Sequence, residues 1–506
     1  MPINSSFGAL SYRVFAFGVG EYWILTSDES VRPFVDVQFD NQNDLYVLGH
    51  QGTADQENFI HLHKFNEINN FPFNVGSQRY RIVAATSDIP RPVLNTFARR
   101  LRYDSINNRF TVLSNARIGY PFTTPNNYVN ISFSFQILTN LLRDSTSGRV
   151  DWGDDPQTTD WRMDDIGVDN DNLHYYFSGP TPTFSNIYRK ERFTSQGFVA
   201  IGSGASQDPT FEISGSRFSG GISEFVGDTG GRDAVFGKLP GLFRLELNSD
   251  LDPVLFSPND NDVCLIKFTQ VPDFPFGTTL PGRLPITWGK KLSLSNNRLF
   301  SKNLALDQPE NSLNNYYLSL FSSTSTSGAP AASASQLVKY SDSGASGTLE
   351  WQREISGVRF EALSVDSNGD CYVAGVIVSN NDLFVAKYNN AGVLQWQNKL
   401  SGYNNIIPSS IIYKDDLYIC GALNTKGFVL KLPSDGSIPG TGTYNLFDSN
   451  NVVQEITYSV ASQTESAANL TETAFDPSIG TLGRATSGRT NSIFAGNTDY
   501  KIIYLD

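Results

Sequence analysis

One stretch of this chain constrains its fold more than any other. From Phe360 to Gly402 the sequence reads FEALSVDSNGDCYVAGVIVSNNDLFVAKYNNAGVLQWQNKLSG. It divides into four strand-like pieces, FEALSV, CYVAGV, LFVAKYN and VLQWQNKL, separated by DSNGD, SNND and NAG. Asn-Gly and Ala-Gly at the turns supply residues that accept the positive φ of tight hairpins.

The pieces recur. The second appears as DLYVLG (44–49), RFTVLS (109–114), LHYYFSG (173–179) and DLYICG (416–421). Asp40, Asp104 and Asp169 precede the first three as Asp366 precedes the index piece. The third piece carries a Lys before an aromatic or Leu, at Lys64, Lys267, Lys339, Lys387 and Lys431. The fourth carries a Trp, at Trp23, Trp152, Trp288, Trp351 and Trp396. Trp351 and Trp396 stand 45 residues apart, the period of a propeller blade. One four-stranded blade cannot bury both its faces, whereas a ring of blades buries each against a neighbour.

The expected fold class is therefore all-β, a β-propeller of about six, five to seven, four-stranded antiparallel blades. The register places blades near 31–90, 92–155, 160–290, 291–356, 357–402 and 403–449. Residues 180–260 are too long for one blade loop and read as an inserted subdomain or a degraded blade. Residues 320–336 are low in complexity and read as a loop. The N-terminal segment 1–30 contains EYWILTSDES, a Trp-bearing fourth strand with no strands before it, and is expected to close the ring. Residues 450–506 are rich in Ser, Thr, Ala and Asn and read as an extended, β-rich arm.

Composition removes several functions. With 38 basic against 51 acidic residues the net charge is −13, which opposes binding to phosphate backbones. The densest basic cluster, Arg99, Arg100 and Arg102, reads as a solvated blade edge. Cys264, Cys371 and Cys420 lie far apart in apolar strands and are expected to be buried free thiols. No apolar run approaches 18 residues, and MPINSSFGALSYR has neither the basic region nor the apolar stretch of a signal peptide. Folding in a cytoplasm is the expectation.

The catalytic and metal patterns sought are missing. His50, His61, His63 and His174 form no HExxH; His61 and His63 share a strand face, with no third ligand to nominate. Asp169-Asn-Asp171 and Asp366-Ser-Asn-Gly-Asp370 open like calcium loops but lack the later bidentate carboxylate, so they read as hairpin turns. Gly202-Ser-Gly204 and Gly237-Lys238 are incomplete nucleotide motifs. The best candidate for ligand contact is the loop from Gly153 to Asp165, where Asp154, Asp155, Trp161, Asp164 and Asp165 gather; an ordinary inter-blade loop is its other reading. No catalytic residue, cofactor or metal site is assigned.

The repeats resemble the degenerate propeller repeats of the quinoprotein-like and bacterial SBBP type. The likeness rests on Asp366-Ser-Asn-Gly-Asp370 followed by Tyr372-Val-Ala-Gly375, on Lys387-Tyr388, and on Gly392-Val-Leu-Gln-Trp396. It covers roughly 345–436 well and 31–180 in patches. The chain departs from quinoprotein dehydrogenases in having no adjacent Cys pair, and its Gly344–Trp351 spacing is not that of a sialidase Asp box. The arm LTETAFDPSIGTLGRATSGRTNS (470–492) gives the chain the texture of virion structural proteins of tailed phages that infect marine cyanobacteria. That resemblance implies a structural protein of the tail, nozzle, baseplate or fibre. Its partners would be other virion subunits, as a homo-oligomer, and it would locate to a particle assembled in the host cytoplasm. A carbohydrate-binding host-recognition propeller and a quinoprotein-like or polysaccharide-cleaving enzyme are the alternatives.

Overall fold

The computed structural model describes thirty-seven strands and their short turns between residues 3 and 505. Longer connections, among them 52–58, 85–92, 119–126, 137–151, 155–164, 192–213, 220–243, 270–285, 308–313, 324–333, 438–442 and 482–492, lie outside the described residues.

Three N-terminal strands, β1 (Ile3–Phe7), β2 (Leu10–Phe17) and β3 (Tyr22–Ser27), come first. Blade 1 comprises β4 (Phe34–Phe39), β5 (Leu45–Gln51), β6 (Phe59–Ile68) and β7 (Phe71–Ala84). Blade 2 comprises β8 (Val93–Asp104), β9 (Arg109–Ile118), β10 (Asn127–Gln136) and β11 (Trp152–Asp154). Blade 3 is β12 (Asp165–Val168), β13 (His174–Pro180), β14 (Phe184–Glu191) and β15 (Ser214–Ser219). Blade 4 is β16 (Arg244–Leu247), β17 (Pro253–Asn259), β18 (Asp262–Phe268) and β19 (Ile286–Ser293). Blade 5 is β20 (Arg298–Asp307), β21 (Asn315–Ser323), β22 (Ala334–Asp342) and β23 (Gly347–Ser356). Blade 6 is β24 (Val358–Val365), β25 (Cys371–Ile377), β26 (Leu383–Tyr388) and β27 (Leu394–Ser401). Blade 7 is β28 (Ile406–Lys414), β29 (Asp416–Leu423) and β30 (Lys426–Leu432), completed by β3, which pairs antiparallel with β30.

The first strands β4, β8, β12, β16, β20, β24 and β28 each pack on the next, and β28 packs on β4. That closed cycle makes the fold a β-propeller, with these strands innermost. Among the described residues there are seven sheets, at the upper end of the expected five to seven. Residues 160–290, read from the sequence as one blade with either an insert or an additional degraded blade over 180–260, divide between two of them. Over 165–219 the stretch lacks the Trp and the Lys before an aromatic or Leu that mark other blades, so only its second strand, LHYYFSG (173–179), is legible by the repeat.

The repeat residues have physical roles. Four of the five third-strand Lys residues lie opposite a fourth-strand Trp: Lys267 and Trp288, Lys339 and Trp351, Lys387 and Trp396, Lys431 and Trp23, while Lys64 lies opposite Gly76. Lys64, Lys339, Lys387 and Lys431 place their ammonium 5.4, 5.4, 5.2 and 5.5 Å from the ring centres of second-strand Tyr46, Tyr317, Tyr372 and Tyr418, a cation–π contact. An Asp two residues before the Tyr completes three of these sites: Asp44 to Lys64 at 2.6 Å, Asp370 to Lys387 at 2.9 Å, and Asp416 to Lys431 at 3.4 Å. The first hairpin is held by its own carboxylate. Asp366 Oδ1 accepts from the amides of Asn368 and Asp370, as Asp40 Oδ1 does from Gln42 and Asp44. The calcium-like spacing is thus a turn device.

The Trp also locks neighbouring blades. A Cβ built on Gly392, in the last turn of blade 6, would lie 2.6 Å from the Trp351 ring of blade 5, and Gly392 has φ +74°. Both the left-handed backbone and the contact require glycine. Gly392→Ala is expected to cost about 2–4 kcal/mol, from about 1 kcal/mol of backbone strain plus overpacking. Urea denaturation checks this, and a loss below about 1 kcal/mol would contradict it. The three cysteines are free and buried, as the sequence indicates.

The remaining strands form a belt. β31 (Thr443–Phe447) and β32 (Val453–Val460) make a hairpin on the outer edge of blade 6. Then β33 (Glu465–Ala467), β34 (Thr471–Ala474), β35 (Ile479–Thr481), β36 (Ile493–Phe494) and β37 (Tyr500–Leu505) add a fifth strand to blades 5, 4, 3, 2 and 1 in turn. Blade 7 receives β2 and β1 in the same position. The arm therefore travels around the ring against chain order, covering one exposed blade edge after another.

Candidate functional site

The innermost strands carry the densest set of ionisable side chains among the described residues. Local bulges aim them. The register shifts between Phe34 and Asp36, Ala98 and Arg100, Ser301 and Asn303, Phe360 and Ala362, and Pro408 and Ser410. Each bulge turns a polar residue towards the adjacent inner strand.

The resulting hydrogen bonds cross every seam of the ring. Ser410 Oγ of blade 7 donates to Asp36 Oδ1 of blade 1 at 2.8 Å. Asp36 Oδ2 accepts from the Leu101 amide of blade 2 at 2.9 Å. Arg100 Nε donates to Asp165 Oδ1 of blade 3 at 2.9 Å. Asp165 Oδ2 accepts from the Leu245 amide of blade 4 at 3.1 Å. Arg244 Nε donates to the Lys302 carbonyl of blade 5 at 2.8 Å, and Lys302 Nζ to Glu361 Oε2 of blade 6 at 2.6 Å. Tyr413 of blade 7 donates its amide to Ser364 Oγ of blade 6 at 3.1 Å.

Arg102 reaches furthest. It bonds Asp165 at 3.2 Å, Glu246 at 2.8 Å and the carbonyls of Ile166 and Leu245. Arg100 and Arg102 do share one face, as strand alternation requires. That face is no solvated edge, however. It is closed over by two carboxylate-bearing blades, and the bulge at Ala98 and Arg100 brings the guanidinium into the seam.

Electrostatics follow from this burial. Burial alone would raise the Asp165 carboxyl, but Arg100, Arg102 and Arg244 hold it down to about 2. Glu246 goes the other way: burial raises it against the pull of Arg102. Burial lowers the Lys302 ammonium despite Glu361. His61 and His63 are buried, stacked 5.8 Å apart, and His63 packs edge-on against Phe34. Burial first, and the neighbouring His61 second, lower the His63 imidazole well below its ordinary 6.5.

A two-step acid response is expected. Both groups have depressed folded-state values, so their contribution is intact at high pH and is lost as pH falls. Below about 6.5 the unfolded chain takes up a proton that folded His63 refuses, and stability falls by about 1.4 kcal/mol per pH unit. A second loss, about 2 kcal/mol, comes between about pH 4 and 2 as Asp165 protonates. Denaturation midpoints from pH 8 to 2 test this. A profile flat from 7 to 5 would contradict the first step.

Of the residues singled out for ligand contact, Asp165 is fully buried in this network. It serves the seams of blades 2, 3 and 4 and is closed to a ligand in the described arrangement. Asp154 is on β11 with its side chain outside the described residues, and Asp155, Trp161 and Asp164 lie outside them altogether. Sequence reasoning missed Asp36, Glu246, Lys302 and Glu361. Their only signal is a charged residue within an otherwise apolar first strand, as in FVDVQF and RFEALSV. Among the described residues no group of three or more His, Cys, Asp and Glu side chains is placed to hold a metal ion.

No protein-family model matches the chain, and no curated protein matches its sequence. Its shape is similar to solved structures, two of them described as propellers. The β-propeller domain of Cps50 (Swd1) from Myceliophteria thermophila is 9% identical, with 79% of this chain covering 97% of that one at a TM-score of 0.38. The Dos1 propeller is 8% identical, at 80% and 93% coverage and a TM-score of 0.37. AofleA from Arthrobotrys oligospora is 9% identical, at 77% and 92% coverage and a TM-score of 0.32.

Proposed function

We propose that the protein is a non-enzymatic structural platform, a propeller that mediates protein–protein assembly in the tail, nozzle, baseplate or fibre of a tailed phage. One observation carries the reading. The ring is tied at both radii, by seam-crossing bonds on the inner strands and by added strands on the rim of every blade. The inner-strand charges are used on one another, which suits a rigid part better than a reactive axis. The arm texture described above supplies the phage context, with other virion subunits, including copies of itself, as partners.

Fractionation of a phage lysate tests the proposal. The chain is expected to co-sediment with intact particles and to survive in tails released from them. Recovery only as a free monomer in medium or periplasm would sink it. Turnover of a host polysaccharide by purified protein would replace it with the enzyme reading.

A further inference from the structure

The C-terminal arm has a period of its own. Thr457-Tyr-Ser-Val460, Thr464-Glu-Ser-Ala467, Thr471-Glu-Thr-Ala474 and Ser478-Ile-Gly-Thr481 follow one another in steps of seven residues. Each lands on a different blade in an equivalent register. Val460 lies opposite Asn398, Ala467 opposite Arg353, Ala474 opposite Lys290 and Thr481 opposite Ser216. Asn398, Arg353 and Lys290 each stand two residues after the Trp of their blade.

The side chains repeat too. The second residue of the unit meets the same rim position each time: the Tyr458 hydroxyl with Asn398 Nδ2 at 2.7 Å, Glu465 with Arg353 at 3.4 Å, Glu472 with Lys290 at 2.8 Å. The links between units are held by the Gln that follows the Trp. Gln397 donates to the Gln463 carbonyl at 3.0 Å. Gln352 donates to the Leu470 carbonyl at 3.4 Å and accepts from its amide at 3.1 Å. A small apolar residue fills the first two seams on the way. Ala461 is buried among residues of blades 5 and 6, and Ala468 among residues of blades 4 and 5. Seven extended residues span about 23 Å, and the arm spends one such length per blade from blade 6 to blade 3.

We infer that the rim is a repeating strand-docking surface that reads a seven-residue unit, one per blade, and that its occupant is the chain's own arm. Backbone pairing supplies adhesion, while the residue two after the Trp, the Gln beside it and the seam pocket supply register. Charge complementarity at Arg353 and Lys290 favours an acidic unit.

A deletion in the full chain tests the reading. Removing Ala461–Ala467 takes out one unit, so the unit ending at Ala474 should move back one blade. In that chain an oxidised Arg353→Cys, Ala474→Cys pair is expected to cross-link at least tenfold faster than Lys290→Cys, Ala474→Cys, the reverse of the undeleted chain. Removing four residues, 464–467, should abolish both links. If the seven-residue deletion fails to fold, a chain with 461–467 and 468–474 exchanged carries the test. Its length is unchanged, and the cysteine at Ala474, now ending the first of the two units, should link to the one at Arg353 rather than at Lys290. A deleted or exchanged chain that still links 290 to 474 in preference to 353, or a four-residue deletion that links as readily, would overturn the register rule. Links formed between two chains would overturn the assignment to the chain's own arm.

Discussion

Replacing Asp165 with alanine is expected to lower stability by about 3–5 kcal/mol, the cost of leaving buried partner charges uncompensated. Arg100 and Arg102 would both lose their shared carboxylate, and the amides of Ile166 and Leu245 would lose an acceptor. Asp165→Asn should cost less, since an amide oxygen still accepts one of these bonds but balances no charge. It should also reduce the loss of stability between about pH 4 and 2, to which Asp342, held down against its burial by Lys267 and Tyr316, still contributes, leaving the step below 6.5 in place. Urea midpoints of both variants across pH check this. An Asp165→Ala loss below about 1 kcal/mol, or an unchanged acid limb in Asp165→Asn, would show that the seam holds without the carboxylate.

The second large effect is expected at the glycine ending the second-strand motifs DLYICG and CYVAG. A Cβ on Gly421 would lie 2.1 Å from the Ile407 carbonyl oxygen, and one on Gly375 would lie 2.4 Å from that of Arg359. These contacts are with backbone, so no side chain can move aside. The cause is the inner-strand bulge. Gly421 pairs with Pro408 and Gly375 with Phe360, the residues at which the register shifts. The bulge that aims Ser410 and Glu361 into the seams pushes the preceding carbonyl towards the second strand. Gly421→Ala is expected to cost about 3 kcal/mol and to weaken the Ser410–Asp36 contact. A fully stable Gly421→Ala variant would show that the bulge can relax without opening the seam.

These glycines show what the sequence made legible. The repeat marks Gly, Lys and Trp are visible because each serves the same contact in several blades. Lys267, Lys339, Lys387 and Lys431 face Trp288, Trp351, Trp396 and Trp23. Blade 3 carries neither the Lys nor the Trp mark, so apart from LHYYFSG its strands merge with their long connections when read from sequence alone. The Arg100 and Arg102 face illustrates a different limit. Alternation along a strand says which side chains share a face, but only the neighbouring blades decide whether that face meets water or Asp165. The arm itself was legible over 450–506, but its seven-residue period was hidden for a third reason. Its units TYSV, TESA and TETA are small and polar because they lie at a rim, and a polar seven-residue period looks like low complexity until the blades supply the spacing.

The account rests on a ring of seven blades closed by β3 and belted by the arm. An electron cryomicroscopy map of the purified full chain, at a resolution that separates strands, tests this most directly. Seven blades are expected, each with a fifth strand at its rim, and with β3 continuous into the last blade. A ring of six or eight blades, or rims that end at the fourth strand, would contradict it.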